Sequence, residues 1–284
     1  AALFALGSLN SRRADATDVN GATIFDVDDP IVGMVHLPAL PGAPRFSGDF
    51  DALVERALAD ARALEAGGAD AVMAENFGDA PFYPDEVSRH VVASMTRVAT
   101  EIRRAVDLPV GVNVLRNDAA AALSVATAAD AEFVRVNVHT GARVTDQGVV
   151  EGRAHETLRL RETLDSDVAI LADVAVKHSA PLAERPVGEL VAETLERGGA
   201  DGLVVSGPGT GRAVDADLLE TVVARRDDLG ADVPVLVGSG VTAENVADLL
   251  AVADGAVVGT ALKQGGETTN RVDRERVADL VGRR

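Results

Sequence analysis

The sequence has no cysteine and no tryptophan, and one tyrosine in 284 residues. Without cysteine there are no disulfides, no thiolate metal sites and no cysteine nucleophile. Aromatics make up 3% of the chain and hydrophobic residues 47%, so the core must be built from valine, leucine and alanine. Lysine is almost missing: Lys177 and Lys263 stand alone beside the arginines. No apolar run approaches the roughly 18 residues of a membrane span. The opening A-A-L-F-A-L-G-S-L-N is short and lacks a basic flank, so it does not read as a signal peptide. A cytoplasmic protein is expected, with no membrane partner.

What the chain has in excess is acid. Its formal charge is −18. Self-repulsion of that size is tolerated best in a salt-rich cytosol, where it is screened, and a halophilic archaeal source is expected. The same charge excludes nucleic acid as a natural partner. An anionic ligand would have to be held by local amides and a few cations, against the mean field.

The length suits one large α/β domain. Residues 1–29 carry no periodicity and read as an irregular N-terminal arm, used in oligomer contacts; a homo-oligomer is the default expectation. From residue 30 onward, short apolar runs alternate with helical patterns. Strands are expected at 31–36, 69–75, 109–114, 133–138, 168–173, 201–206, 234–238 and 255–259. Helices are expected at 50–66, 84–106, 118–128, 154–164, 187–197, 215–226, 242–251 and 273–281. Residues 139–152 form a longer connection of the kind that serves as a lid or contact surface. The pattern predicts a single (β/α)8 TIM barrel over residues 30–284. E-A-G-G-A-D (65–70) and E-R-G-G-A-D (196–201) repeat four units apart, as do D-L-P-V (107–110) and D-V-P-V (232–235). A duplicated half-barrel gives such an offset; so does a generic helix stop followed by a strand start.

Two apolar runs between residues 235 and 263 end in Gly238-Ser239-Gly240 and Gly259-Thr260, each turn leading into an expected helix. Backbone N–H groups at such turns hold anions, and two of them in the last two units resemble the phosphate cup of a TIM barrel. The plainer reading is two tight turns. Ser206, Gly207, Gly209 and Thr210 lie in a neighbouring glycine-rich turn and add hydroxyls and close backbone approach. Lys263 lies just past the second turn and would add charge to the cup.

The other strand ends are polar. On the fourth strand Val134, Val136 and Val138 form one face. Phe133, Arg135, Asn137 and His139 form the other, which must point into the barrel. An interior arginine needs a carboxylate or an anionic ligand. His36, Glu75, Asn113 and Asp173 end the first, second, third and fifth strands, and Lys177 and His178 follow Asp173. Any one of these alone reads as a turn or cap residue; a convergent set reads as a site. Glu75 or Asp173 would be a base, and Lys177 or His178 an acid. No cofactor is required, although Glu75 and Asp173 are also the pair that would hold Mg²⁺.

The motifs G-M-V-H-L-P-A-L-P-G (33–42), A-E-N-F (74–77), V-N-V-L-R-N-D (112–118), F-V-R-V-N-V-H-T-G (133–141), D-V-A-V-K-H (173–178) and V-S-G-P-G-T-G (205–211) resemble the BtpA/SgcQ family. The resemblance implies a TIM barrel of the ribulose-phosphate-binding type. It brings an association with photosystem I biogenesis in cyanobacteria and with sugar-metabolism operons in enteric bacteria, but no settled reaction. The expectation is an enzyme acting on a small phosphorylated metabolite, a sugar or pentose phosphate, by isomerase, epimerase or aldolase-type proton abstraction beside a carbonyl. The alternative is a non-enzymatic assembly or stability factor.

Overall fold

Aspartate starts half of the α-helices among the described residues. In the computed structural model, which describes residues 24, 25, 27–207, 209 and 212–284, the side chains of Asp49, Asp118, Asp215 and Asp273 accept backbone N–H bonds in the first turns of their helices. Each satisfies donors that a helix start leaves without partners. The first 23 residues, most of the expected N-terminal arm, lie outside the described residues.

Strand β1 (Ile31–His36) is followed by α1 (Phe50–Ala66), β2 (Ala71–Glu75) by α2 (Arg89–Ala105), and β3 (Val110–Asn113) by α3 (Ala119–Ala128). After β4 (Phe133–Val136) come β5 (Ala142–Thr145), β6 (Gly148–Glu151) and α4 (Ala154–Thr163). β7 (Ala169–Ala175) leads to the short β8 (Ala180–Pro181) and to α5 (Val187–Ala192), which runs into a π turn (Glu193–Arg197). β9 (Gly202–Val205), α6 (Ala216–Asp228), β10 (Val235–Val237), α7 (Val246–Leu250), β11 (Gly255–Val258) and α8 (Arg274–Val281) complete the chain. Eight parallel strands close in the order β1-β2-β3-β4-β7-β9-β10-β11 and back to β1. This is a TIM barrel, as the sequence pattern predicts.

The barrel interior is apolar at the bottom. Val32, Met34, Ala71, Met73, Phe133, Leu171, Val204, Leu236 and Val257 form one buried cluster, and the Phe25 ring meets Phe133 edge-on at 5.5 Å. Gly111 sits in register with Phe133, and a Cβ there would lie 2.1 Å from the ring, so one glycine makes room for the largest interior residue.

The bottom rim explains the G-G-A-D repeat. Asp70 accepts the N–H of Ile31 at 2.8 Å, Asp201 that of Ile170 at 2.8 Å, Asp254 that of Val235 at 2.8 Å, and Glu132 that of Val110 at 2.7 Å. The four carboxylates precede β2, β9, β11 and β4, and each caps the first or second amide of the barrel strand before it. Each also pairs with an arginine: Arg284, Arg161, Arg226 and Arg103 respectively. Repetition here has a local physical cause, the need to satisfy an N–H at the start of alternate strands.

Three expectations need correction. Residues 139–152 are not an irregular connection: β5 and β6 form an antiparallel hairpin that β8 extends. The second helix begins at Arg89 rather than 84, because the Asp118 carboxylate takes the Val87 N–H at 2.8 Å and the Tyr83 carbonyl accepts from Arg116. Residues 242–245 are a turn rather than the start of α7. Asn245 accepts from the Thr242 N–H, and Thr242 Oγ1 from the Glu244 N–H, which is the local competition that keeps such residues out of helices.

Asp201→Ala and Asp254→Ala each strand a β-strand amide and an arginine at the rim. We expect each to lower stability by about 1–3 kcal/mol, measured by urea unfolding, with no loss of binding at the opposite end of the barrel.

Candidate functional site

His36, Glu75, Asn113 and Arg135 are Cα partners in one continuous register line across β1, β2, β3 and β4. The parallel ladder alone puts four polar side chains at one height above the apolar interior. All four residues are at most 7% exposed. The Arg135 guanidinium pairs with Asp173 through two hydrogen bonds of 2.8 Å, Nε to Oδ1 and Nη2 to Oδ2. Nη2 also donates to Ser206 Oγ at 3.1 Å, and Asn137 donates to Asp173 Oδ2 at 3.3 Å. Asn113 donates to the Arg135 carbonyl at 2.8 Å and to Asn137 Oδ1 at 3.3 Å, while its own Oδ1 has no protein partner. Burial alone would depress the Arg135 guanidinium; attraction to Asp173 outweighs it and holds the group above its usual value.

Asp173 is therefore spent. Both of its oxygens are occupied and its side chain is fully buried, so it holds Arg135 and is not poised as a base. Glu75 lies 3.7 Å from His36 Nε2. No group of three or more His, Cys, Asp or Glu that would hold a metal occurs among the described residues, and an Asp173 neutralised by an arginine is a poor Mg²⁺ ligand.

Burial keeps His36 well below the usual histidine range, helped by Lys263 and Lys177 nearby, so its ring is neutral. Its Nδ1 has no hydrogen-bond partner among the described residues. Burial likewise lowers the Lys177 ammonium, with Glu75 pulling the other way. No protein group accepts from that ammonium among the described residues. Lys177 lines both cavities that open at this end of the barrel. His178 takes a left-handed backbone (φ 54°), is exposed, and lines only the second cavity.

The first cavity, about 350 Å³, contains the glycine turns: Gly238, Ser239, Gly240, Gly259 and Thr260 line it with His36, Arg135 and Lys177. The turns differ from expectation. Gly259-Thr260 leads into a single 3₁₀ turn (Thr260–Leu262), and the other turn reaches α7 only through residues 242–245. Helix dipoles thus contribute little, and any anion would depend on the amides themselves. Those of Gly240, Val241, Thr260 and Ala261 donate to no acceptor among the described residues. Glu244 and Asp279 line the same cavity, opposed by Arg276.

Gly238 and Gly259 have a second role. A Cβ on Gly238 would lie 2.4 Å from Ser206 Oγ and 3.3 Å from Arg135 Nη2; one on Gly259 would lie 2.7 Å from the His36 ring. The two glycines clear space for site side chains. Gly240 needs its freedom for its backbone (φ 73°). Ser239 Oγ accepts the Gly207 N–H at 2.8 Å and ties the neighbouring turn to the cup. Gly209 sits beside His178, and Thr210 lies outside the described residues.

Two sequence expectations fail here. Lys263 is not in the cup: it is fully buried against β1 and α1, donating to the Met34 carbonyl at 2.8 Å with Asp60 at 3.8 Å, and burial lowers its pKa to about 8. His139 does not follow Arg135 and Asn137 into the barrel. The alternation stops after Asn137; Val138 packs with Val150 and Val176, and His139 is fixed against the Gly198 carbonyl at 2.8 Å. Conversely, Arg116 was not singled out, although V-N-V-L-R-N-D contains it. It is 5% exposed and reaches the mouth from the loop after β3, donating to the Lys177 carbonyl at 2.6 Å. A basic residue three positions past a strand end, in an acidic chain, was the available signal.

Residues 27–283 match the model of the BtpA family. The chain belongs to the BtpA family. It is 49% identical over 252 residues to an uncharacterised protein of Thermococcus kodakarensis, covering 89% of this chain and 94% of that one. It is 44% identical to the photosystem I biogenesis protein BtpA of Synechocystis (90% and 88% covered) and 32% to the putative sgc region protein SgcQ of Escherichia coli (91% and 95%). Among solved structures it resembles a tryptophan synthase alpha-subunit from Pyrococcus furiosus (TM-score 0.56, 20% identity, 90% and 98% covered). It also resembles phosphoribosyl anthranilate isomerase from Thermus thermophilus (TM-score 0.52, 14% identity, 89% and 97% covered). At these identities the likeness concerns the fold. No helix among the described residues of this BtpA-family chain is long and apolar enough to cross a membrane.

Two measurements test the electrostatics. Asp173→Ala leaves a buried arginine unpaired and should cost about 3–5 kcal/mol in chemical denaturation; Arg135→Met with Asp173→Leu should recover most of it. His36 is held neutral when folded and binds a proton near pH 6.5 when unfolded. Its contribution therefore falls as pH drops below about 6.5, with a slope approaching 1.4 kcal/mol per pH unit. His36→Gln should flatten stability between pH 6.5 and 5 relative to the wild type; an unchanged slope counts against a buried neutral ring.

Proposed function

We propose that this BtpA-family protein is an enzyme that binds a small phosphorylated metabolite in the barrel mouth and moves a proton beside a carbonyl. The observation that carries the reading is Lys177: a half-buried ammonium with no acceptor among the described residues, in the same mouth as the Glu75 carboxylate. Polar strand ends cost stability, and a purely structural barrel gains nothing from a half-desolvated cation facing a cavity. Glu75 serves as the base. Lys177, its pKa lowered by burial, is the acid that protonates or hydrogen-bonds the developing enolate oxygen. Asn113 Oδ1 and His36 Nδ1, both buried without a hydrogen-bond partner among the described residues, supply an acceptor and a tautomer-dependent contact for substrate hydroxyls. Arg135 and Asp173 brace this floor. The unpaired amides around Gly240 and Thr260 take the phosphate, and Ser206 and Ser239 shape the turns beside it. Isomerase, epimerase and aldolase chemistry share these steps. No step is routed through a metal. A cytoplasmic setting, a salt-rich source and a homo-oligomer remain part of the proposal.

A second reading, an assembly factor, draws on Val144, Val149 and Leu182. These apolar residues in and beside the β5–β6–β8 sheet are exposed by 42%, 52% and 62%, and a protein partner would cover such a surface. It predicts that function survives changes at Glu75 and Lys177.

Inorganic phosphate, glycerol phosphate and ribose 5-phosphate should raise the melting temperature of the wild type. If none does, the phosphate reading fails. Glu75→Gln should retain this binding. For the compound that binds best, it should also slow exchange of the carbon-bound proton into deuterated water by about 10²–10⁴-fold, read by NMR. Wild-type protein that exchanges no proton from any bound compound contradicts the proposed chemistry.

A further inference from the structure

The mouth has a second lobe that the phosphate reading leaves unused. It has a volume of about 520 Å³ and meets the first cavity at His36 and Lys177, which line both. Its wall is apolar on one side, with Leu37, Phe77, Phe82 and Leu115. The Phe77 ring lies 4.8 Å from the His36 ring, which places an aromatic surface beside the shared waist.

The remaining lining is cationic. Arg45, Arg56, Arg116 and Lys177 face this lobe against a single carboxylate, that of Glu75. In a chain of net charge −18 this is a local reversal of sign. The glycine-lined cavity, by contrast, carries Glu244 and Asp279 alongside its cations. Arg116 is the most informative of the set. It is 95% buried, and one of its N–H groups donates to the Lys177 carbonyl at 2.6 Å. The rest of its guanidinium has no acceptor among the described residues, and burial lowers its pKa in spite of Asp173, Asp146 and Glu75 nearby. A largely buried guanidinium whose free donors open onto the lobe is placed to take an anionic partner. Arg45 stands at the exposed rim, bonded to the Ala80 carbonyl only at 3.4 Å. Arg56 donates to the Thr269 carbonyl, and its buried Nε has no partner.

We propose that this lobe binds the other end of the substrate, and that this end is an apolar or planar body carrying a carboxylate. The proposal rests on the reading above, in which the phosphate occupies the glycine-lined cavity and the reacting carbon lies between Glu75 and Lys177. The substrate then carries anionic groups at both ends, with the reacting carbon at the waist. Arg116 forms the buried clamp, Arg45 the entrance charge, and Phe77 with Leu115 the surface against which the body packs. The chemistry of the lobe separates this substrate class from simple sugar phosphates, whose hydroxyl-rich bodies gain little from four apolar side chains.

Benzoate, benzamide and phenylphosphonate, titrated calorimetrically into the intact chain with and without saturating inorganic phosphate, test the lobe separately from the cup. Benzoate should bind at least about tenfold tighter than benzamide, and saturating phosphate should change its affinity by less than about threefold. Arg116→Met should weaken benzoate by about tenfold or more and leave inorganic phosphate binding unchanged. Arg45→Ala, at an exposed position where folding is not at risk, should weaken benzoate by about threefold. Benzoate that binds no better than benzamide, or that is indifferent to both substitutions, overturns the proposal. Tighter binding of phenylphosphonate than benzoate by about tenfold overturns the carboxylate assignment. If inorganic phosphate fails to bind while benzoate behaves as expected, the phosphate reading falls and the lobe stands. If benzoate and phosphate compete, the two-ended arrangement falls.

Discussion

A charged arginine inside a β-barrel is the constraint from which the rest of the site follows. Arg135 is 2% exposed and sits one step above the apolar plug around Phe133. Leaving it unpaired would cost several kcal/mol, so Asp173 must meet it from β7 with both oxygens. That pairing fixes the next shell. Asn137 adds a third donor to Asp173 and Ser206 accepts from Arg135, Asn113 ties β3 to the β4 backbone, and Gly238 stays without a side chain because Arg135 and Ser206 fill its place. Four barrel strands are bound into one network at the height where the cavity begins. A buried ion pair is weak evidence of added stability. Its value here is positional: it builds a rigid, polar floor beneath Glu75 and Lys177.

The electrostatics of the mouth run against those of the molecule. Outside the mouth, acid is used structurally as helix caps at Asp49, Asp118, Asp215 and Asp273 and as strand caps at Asp70, Glu132, Asp201 and Asp254. Within the mouth itself the cations outnumber the carboxylates. Buried Arg116 and Arg135 and half-buried Lys177 share the same mouth, with Glu75 as a common negative neighbour that favours the charged state of each. Long-range repulsion of an anionic ligand by a chain of −18 is screened by salt, whereas attraction within a closed, desolvated mouth is screened far less. The local field therefore decides what binds.

The barrel was legible because its signal is periodic. Strand alternation, helix stripes and the acidic caps recur unit after unit, and the interior parity of Arg135 and Asn137 follows from the valines that flank them. Legibility failed where the period ended. Parity stops when the strand stops, so His139 is not a continuation of Arg135 but a residue fixed under the π turn at Gly198. The β5–β6 hairpin was hidden because A-R-V-T-D-Q-G-V-V-E alternates poorly and only Gly148, at φ 105°, marks its turn. Lys263 was misplaced because proximity in sequence to Thr260 does not say which way a four-carbon side chain turns; it turns to Asp60, 203 residues earlier in the chain. Asp173 was read as a base from its position at a strand end. The partner that removes it from that role lies 38 residues away on another strand.

The glycines of the last two units show how one sequence feature carries two physical meanings. Read along the chain, Gly238-Ser239-Gly240 and Gly259-Thr260 are turns that expose amides. In three dimensions Gly238 and Gly259, one residue past the ends of β10 and β11, also face the site, and each is bare because Arg135, Ser206 or His36 already occupies the space a side chain would need. The two meanings are coupled. A substitution at either glycine displaces a site side chain as well as the backbone beside the cavity, so loss of binding in such a variant would not identify an anion cup. Gly240 separates them: a Cβ there meets the Ala213 backbone at 2.4 Å and strains a left-handed φ, without touching Arg135 or His36. The anion-binding reading therefore stands on the unpaired amides of Gly240, Val241, Thr260 and Ala261, not on the number of glycines around them.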